Sequence, residues 1–138
     1  MSKMNGGCLC GKVRYASDAQ PAMTAVCHCT DCQKQSGSAL SIVVAVPSDA
    51  IEFSGDMTLY ATQGKETGQA VNRYFCGACG SPLYSAPDVM PGVIFLKAGT
   101  LDDTSWLKPE MNMWCETAQD WVAIDDSLPR FPRNPPLG

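Results

Sequence analysis

Seven of the eight cysteines in this 138-residue chain fall into three tight groups, and these are the residues best able to do chemistry. They are Cys8-Leu-Cys10, Cys27-His-Cys29-Thr-Asp-Cys32 and Cys76-Gly-Ala-Cys79. In an extended chain residues i and i+2 point to one face, so the first spacing can aim two thiolates at one metal ion. The C-x-x-C spacing needs a tight turn that brings both sulfurs to one side. Gly77 and Gly80 supply the backbone freedom for that turn. Zinc is the natural occupant, because soft thiolates suit it and it accepts a tetrahedral set without redox chemistry. An isolated cysteine is usually a small buried hydrophobe. That description suits Cys115, not seven residues in these spacings.

A closed structural zinc takes four protein ligands, whereas a catalytic one keeps three and leaves a position open. Groups of two, three and two divide most simply into Cys8, Cys10, Cys76 and Cys79 on one ion and Cys27, Cys29 and Cys32 on another. The chain would then carry two Zn2+ ions, the second with a free position. A rival division adds Cys115 or His28 to the triple and closes it, and spacing alone leaves both divisions open. His28, the single histidine, lies between two ligands that would share a face. Its ring is therefore expected behind the metal or at the surface.

The elements that must position these groups read mostly as strands. Residues 12–16 alternate, with Val13 and Tyr15 on one face, and residues 40–46 form a β-branched run suited to a strand buried on both faces. Residues 51–53, 57–61, Ala70–Phe75, Val93–Lys97 and 121–124 read as further short strands between Gly, Pro or Asp breakers. Thr30–Ser36 is expected to form about two helical turns, capped by Thr30 and stopped at Gly37. The proline-rich residues 129–138 cannot enter a sheet interior and are expected to wrap the surface in extended form. The reading is all-β, mainly antiparallel, in a single domain over residues 1–138.

Composition narrows the function classes. Hydrophobic residues make up 45% and charged residues 17%, which excludes a disordered chain. The longest apolar stretch, residues 39–46, is interrupted by Ser41 and far shorter than the ~20 residues a bilayer demands, so no membrane span is expected. Net charge is −4 with no Lys/Arg cluster, so there is no footprint for nucleic acid. The N-terminus has no apolar signal segment, and dense cysteine without one points to metal or catalysis in a reducing, cytoplasmic setting.

Three segments resemble the glutathione-dependent formaldehyde-activating enzyme family, which includes the centromere protein V type. They are Gly6-Gly-Cys-Leu-Cys-Gly-Lys-Val-Arg-Tyr15, Cys27-His-Cys-Thr-Asp-Cys-Gln-Lys-Gln-Ser-Gly-Ser38 and Tyr74-Phe-Cys-Gly-Ala-Cys-Gly-Ser-Pro-Leu83. Lys97-Ala-Gly-Thr-Leu-Asp-Asp103 and Leu128-Pro-Arg-Phe131 look like its C-terminal features. The resemblance spans nearly the whole chain in the right order. It implies a β-tent fold of several small antiparallel sheets with a structural zinc on Cys8, Cys10, Cys76 and Cys79. It also implies a catalytic, open zinc on Cys27, Cys29 and Cys32, and a carbon–sulfur lyase chemistry of the S-(hydroxymethyl)glutathione synthase type. One position departs: in Pro109-Glu-Met-Asn112-Met-Trp114, Asn112 stands where the family commonly has histidine. An amide cannot titrate in a histidine's place.

The chemistry of the triple agrees with that implication. Three thiolates on Zn2+ leave a net charge of −1, which suits a soft fourth ligand such as a substrate thiol. A coordinated thiol is deprotonated outright, and the resulting sulfur can add to an aldehyde such as formaldehyde. Seven thiolates and two dications take the net charge from −4 to −7. Anionic glutathione would thus need local positive charge, from Lys34 first by sequence position, with Arg73 and Lys97 as others. Each of these cations also reads as a solvated surface charge. Trp106, Trp114 and Trp121 are candidates to wall a pocket. Two function classes follow: a thiol–aldehyde enzyme, and a zinc-stapled interaction module whose second site is vestigial.

Overall fold

The computed structural model describes residues 4–136 and is mostly β. In chain order the elements are β1 (Met4–Gly7), β2 (Arg14–Ser17), β3 (Met23–Cys27), α1 (Thr30–Ser36), β4 (Ser41–Pro47) and β5 (Ile51–Ser54). They continue with β6 (Thr58–Gln63), β7 (Ala70–Phe75), β8 (Pro82–Pro87), β9 (Val93–Lys97) and β10 (Met111–Met113). The strands gather into two sheets. β1, β2 and β5 form a three-stranded one, and the rest run in the order β10-β3-β4-β9-β8-β7-β6. All pairings are antiparallel except β10 with β3, which is parallel.

The core lies between the sheets. Val44 and Val46 of β4, Ile94 and Leu96 of β9 and Leu83 of β8 meet Met4, Tyr15 and Ile51 of the smaller sheet. β4 carries four consecutive buried residues, Val43 to Val46, as its unbroken β-branched run predicts. Tyr15 pins the sheets further, its hydroxyl 2.7 Å from Thr100 Oγ1. Gly6 makes that approach possible, since a Cβ there would collide with the Thr100 carbonyl and the Tyr15 hydroxyl.

Register divides the larger sheet into two faces, because side chains alternate along each strand and agree across each pair. One face carries Cys27, Ser41, Val43, Lys97 and Arg73. The other carries Asn112, Val26, Ile42, Val44 and Leu96. The His28 N–H donates to the Met113 carbonyl at 3.0 Å, so His28 continues the second face beyond the end of β3.

Three sequence expectations differ from the structure. Residues 121–124 form bends and turns instead of a strand, and Trp121 is 75% exposed, so their alternation has no partner to pair with. Strands β1, β3, β8 and β10 carry glycines, methionines or terminal prolines rather than a β-branched pattern, and they form because neighbours supply the ladder. The cap of α1 is Cys29, not Thr30; its Sγ accepts the Cys32 N–H at 3.2 Å. Gly37 closes the helix in the left-handed conformation, as its position predicts. The tail runs as expected along an edge: Asn112 N–H donates to the Pro129 carbonyl, and the Phe131 N–H to the Asn112 carbonyl, each at 2.9 Å.

Candidate metal centre

Two groups of sulfurs converge, each with its Sγ atoms within 4.8 Å of one another. The first joins Cys8 and Cys10, between β1 and β2, to Cys76 and Cys79, between β7 and β8. Cys8-Leu9-Cys10 is a turn, not the extended segment its spacing suggested: the Gly11 N–H donates to the Cys8 carbonyl at 3.1 Å. The Cys76–Cys79 turn closes as expected, the Gly80 N–H reaching the Cys76 carbonyl at 2.8 Å with φ of 80° at Gly80. The Val13 N–H donates to Cys8 Sγ at 3.3 Å. The hydroxyl and N–H of Ser81, with the Cys10 backbone, bring the Cys79 thiol down to about 5.

The spacing of these sulfurs suits zinc. A tetrahedral ion with bonds of ~2.3 Å sets its sulfurs about 3.8 Å apart. Cys8 and Cys10 lie 3.6 Å apart and Cys10 and Cys76 3.8 Å, far beyond a disulfide bond.

The second group is Cys27, Cys29 and Cys32. β3 delivers Cys27 at its end, Cys29 caps α1, and Cys32 lies in the first turn, so one strand-to-helix junction fixes all three. Cys27 and Cys32 are 3.6 Å apart and almost fully buried. Among the described residues no fourth cysteine, histidine or carboxylate joins them. Cys115 sits half-buried in a separate 3₁₀ turn, its N–H bonded to the Phe131 carbonyl at 3.0 Å. The His28 ring turns to the other face of the sheet, where Nε2 lies 3.3 Å from Asn112 Oδ1. The division into four and three is the one in which the structure brings the sulfurs together, and either group could hold a metal ion.

Trp114 packs on Cys27 and Cys32, while Trp106 and Trp121 are exposed. Trp114 adopts φ 59° and ψ 38°, the left-handed conformation that costs a bulky residue of order 1–3 kcal/mol. Its Nε1 donates to Asn134 Oδ1 at 2.8 Å, and the Arg133 guanidinium lies 5.7 Å from its ring centroid. The tail thus clamps the aromatic wall of the site.

Lys34 is exposed on the last turn of α1. Two residues beyond Cys32, it projects from roughly the opposite side of the helix. Arg73 and Lys97, read from sequence as solvated charges, are instead buried on the Cys27 face, at 7% and 5% exposure. Lys97 Nζ donates to Ser41 Oγ at 3.0 Å, and Ser41 pairs with Cys27 across the strands. Arg73 donates from Nε to Thr62 Oγ1 at 3.0 Å and from Nη1 to Gln35 Oε1 at 2.9 Å. Among the described residues neither cation has a carboxylate partner. Buried cations without carboxylates need another source of negative charge. Cys32 is one such source: hydrogen bonds with Cys27 and Cys29 hold it far below the usual thiol range against its burial, and Lys97 and Arg73 add to the pull, while Cys27 and Cys29 are pushed up. Ser41 and Gln35, which position the two cations, carry no motif that sequence reading could have used.

Comparison with known proteins adds to this geometry. A family model described as glutathione-dependent formaldehyde-activating enzyme matches residues 3–117. A Penicillium rubens protein provisionally named for that activity is 28% identical over 111 residues, covering 78% of this chain and 57% of its own length. A similarly named Aspergillus flavus protein is 28% identical over 108 residues, 75% of this chain and 56% of that one. The chain therefore spans a little over half the length of these curated relatives. The crystal structure of a Rhodobacter sphaeroides protein superposes with a TM-score of 0.57 at 22% identity, over 77% of this chain and 92% of that one, a likeness of fold.

Proposed function

The chain belongs to the glutathione-dependent formaldehyde-activating enzyme family, and from that premise we propose that it binds a thiol, glutathione, at a zinc ion held by Cys27, Cys29 and Cys32 and adds it to formaldehyde. The reading rests on one observation above the others: among the described residues the triple stops at three ligands, on the same sheet face as two buried cations without carboxylate partners. Zinc at such a site supplies a fourth position where a thiol is deprotonated at neutral pH.

The chain's own residues account for the rest. Cys27, Cys29 and Cys32 hold a set of negative charges, and Lys97 and Arg73 offset them together with the charge of an incoming thiolate. Trp114 excludes water from one side, which strengthens each of these interactions. The substrate sulfur then forms the carbon–sulfur bond as the carbonyl π bond breaks, and the carbonyl oxygen takes a proton from solvent to become a hydroxymethyl group. The reverse reaction breaks that bond. Cys8, Cys10, Cys76 and Cys79 serve a structural zinc that ties β1 and β2 to the β7–β8 turn.

The test is metal content followed by thiol binding. Protein purified without chelator is expected to carry two zinc ions per chain, and glutathione at pH 7 to release protons on binding. Cobalt-loaded protein is expected to gain sulfur-to-metal charge-transfer intensity with the same ligand. Two metals but no proton release and no spectral change with millimolar glutathione would overturn the thiol reading and favour a zinc-stapled interaction module.

A further inference from the structure

Behind the metal-binding loop, on the opposite face of the sheet, lies a cavity of about 370 Å³. That is the lower end of the range for small-molecule sites. Its floor is His28 and Asn112, 1% and 3% exposed. Asn112 Oδ1 can only accept, so His28 Nε2 carries the proton of the 3.3 Å contact between them. This leaves two polar atoms buried without partners, His28 Nδ1 and Asn112 Nδ2. Such atoms are uncommon in native interiors, because burying a polar group without a partner is costly. Both belong to residues lining the same cavity.

We propose that this cavity binds a small neutral molecule bearing a hydroxyl or primary carboxamide on an apolar body. The floor offers one donor, the Asn112 amide N–H, and one acceptor, the Nδ1 lone pair of His28, whose Nε2–H is directed at Asn112 Oδ1. A hydroxyl or a primary amide satisfies both at once, because each donates and accepts. A carboxylate would meet the Nδ1 lone pair with another lone pair, and an ammonium would leave the Asn112 donor unmet. The walls, Val26, Leu40, Ile42 and Pro109, suit a compact aliphatic body. Charge stays at the rim, where Lys108 and Asp125 are exposed and the Asp125 carboxylate already accepts from the N–H and hydroxyl of Ser127.

The site is independent of the zinc chemistry, so its test can fail without touching that reading. In zinc-loaded protein labelled with 15N, isobutyramide is expected to shift the His28 Nδ1 and Asn112 side-chain resonances in a saturable, millimolar titration. N,N-dimethylisobutyramide accepts but cannot donate, and it is expected to bind at least about tenfold more weakly. Asn112→Leu removes the donor that both carbonyls accept from and is expected to weaken both amides while keeping the preference between them. Ala123→Phe, on the exposed rim, is expected to block both while leaving the fold intact. Equal affinity for the two amides, or no shift at either residue, would overturn the proposal. So would a crystal structure of the soaked protein with only a retained water between Nδ1 and Nδ2.

Discussion

Replacing Lys97 by methionine separates its charge from its packing, because methionine keeps an unbranched stem. The ammonium is buried and donates to Ser41 Oγ at 3.0 Å, and Ser41 lies directly across the strands from Cys27. Directly opposed residues sit about 5 Å apart, which places the charge roughly 5–8 Å from the Cys27 sulfur. At an effective dielectric of 20, unit charges over that separation interact by about 2–3 kcal/mol. Glutathione binding to the zinc-loaded variant is therefore expected to weaken about 30- to 150-fold by calorimetry. Unchanged thiol affinity in the variant would refute the charge argument and leave Lys97 a packing residue.

Cys8→Ser is expected to unfold or aggregate the chain, since metal binding that joins distant segments is folding free energy. Cys29→Ser should leave a folded protein with one zinc, and equal damage in thermal melts would contradict the division of roles. Burial pushes the Tyr15 hydroxyl up to about 12. The folded state then keeps a proton that the unfolded chain loses near pH 10, so the contribution of Tyr15 to stability is constant below pH 10 and falls by up to about 2–3 kcal/mol between pH 10 and 12. Tyr15→Phe is expected to lack that fall in urea titrations across this range. Gly6→Ala should destabilise by about 1–3 kcal/mol through collision with Thr100 and Tyr15, measured by denaturant midpoint.

Elements that announce themselves do so through their own side chains. The β-branched run of β4, the breaker-bounded segments of β7 and β9 and the Gly37 stop of α1 were legible because burial or backbone geometry dictates those residue types locally. β10 was not. Its three residues, Met-Asn-Met, become a strand because β3 offers an edge and the tail bonds to its other side. Residues 121–124 failed in the opposite sense, with a strand-like pattern and no edge to join. The sulfur groups were legible because a metal demands its ligands at fixed spacings. Their cations were not, since Arg73 and Lys97 reach the site through a register across five strands that no local pattern encodes.

That register also decides what the asparagine at position 112 changes. Read along the chain, its amide stands in for a titratable group and threatens the chemistry at the triple. Asn112 pairs with Val26, however, and so projects from the face opposite Cys27. A histidine there would adjoin His28, with the sheet between its ring and the sulfurs. The substitution thus removes no proton carrier from beside the three cysteines. The groups on their own face are lysine, arginine, serine and tryptophan, which supply charge, a hydroxyl and cover rather than a base near pH 7. Catalysis at such a site must draw on thiol ionisation and electrostatic support instead of proton transfer by a side chain. The His28–Asn112 side is then free to recognise a neutral polar group.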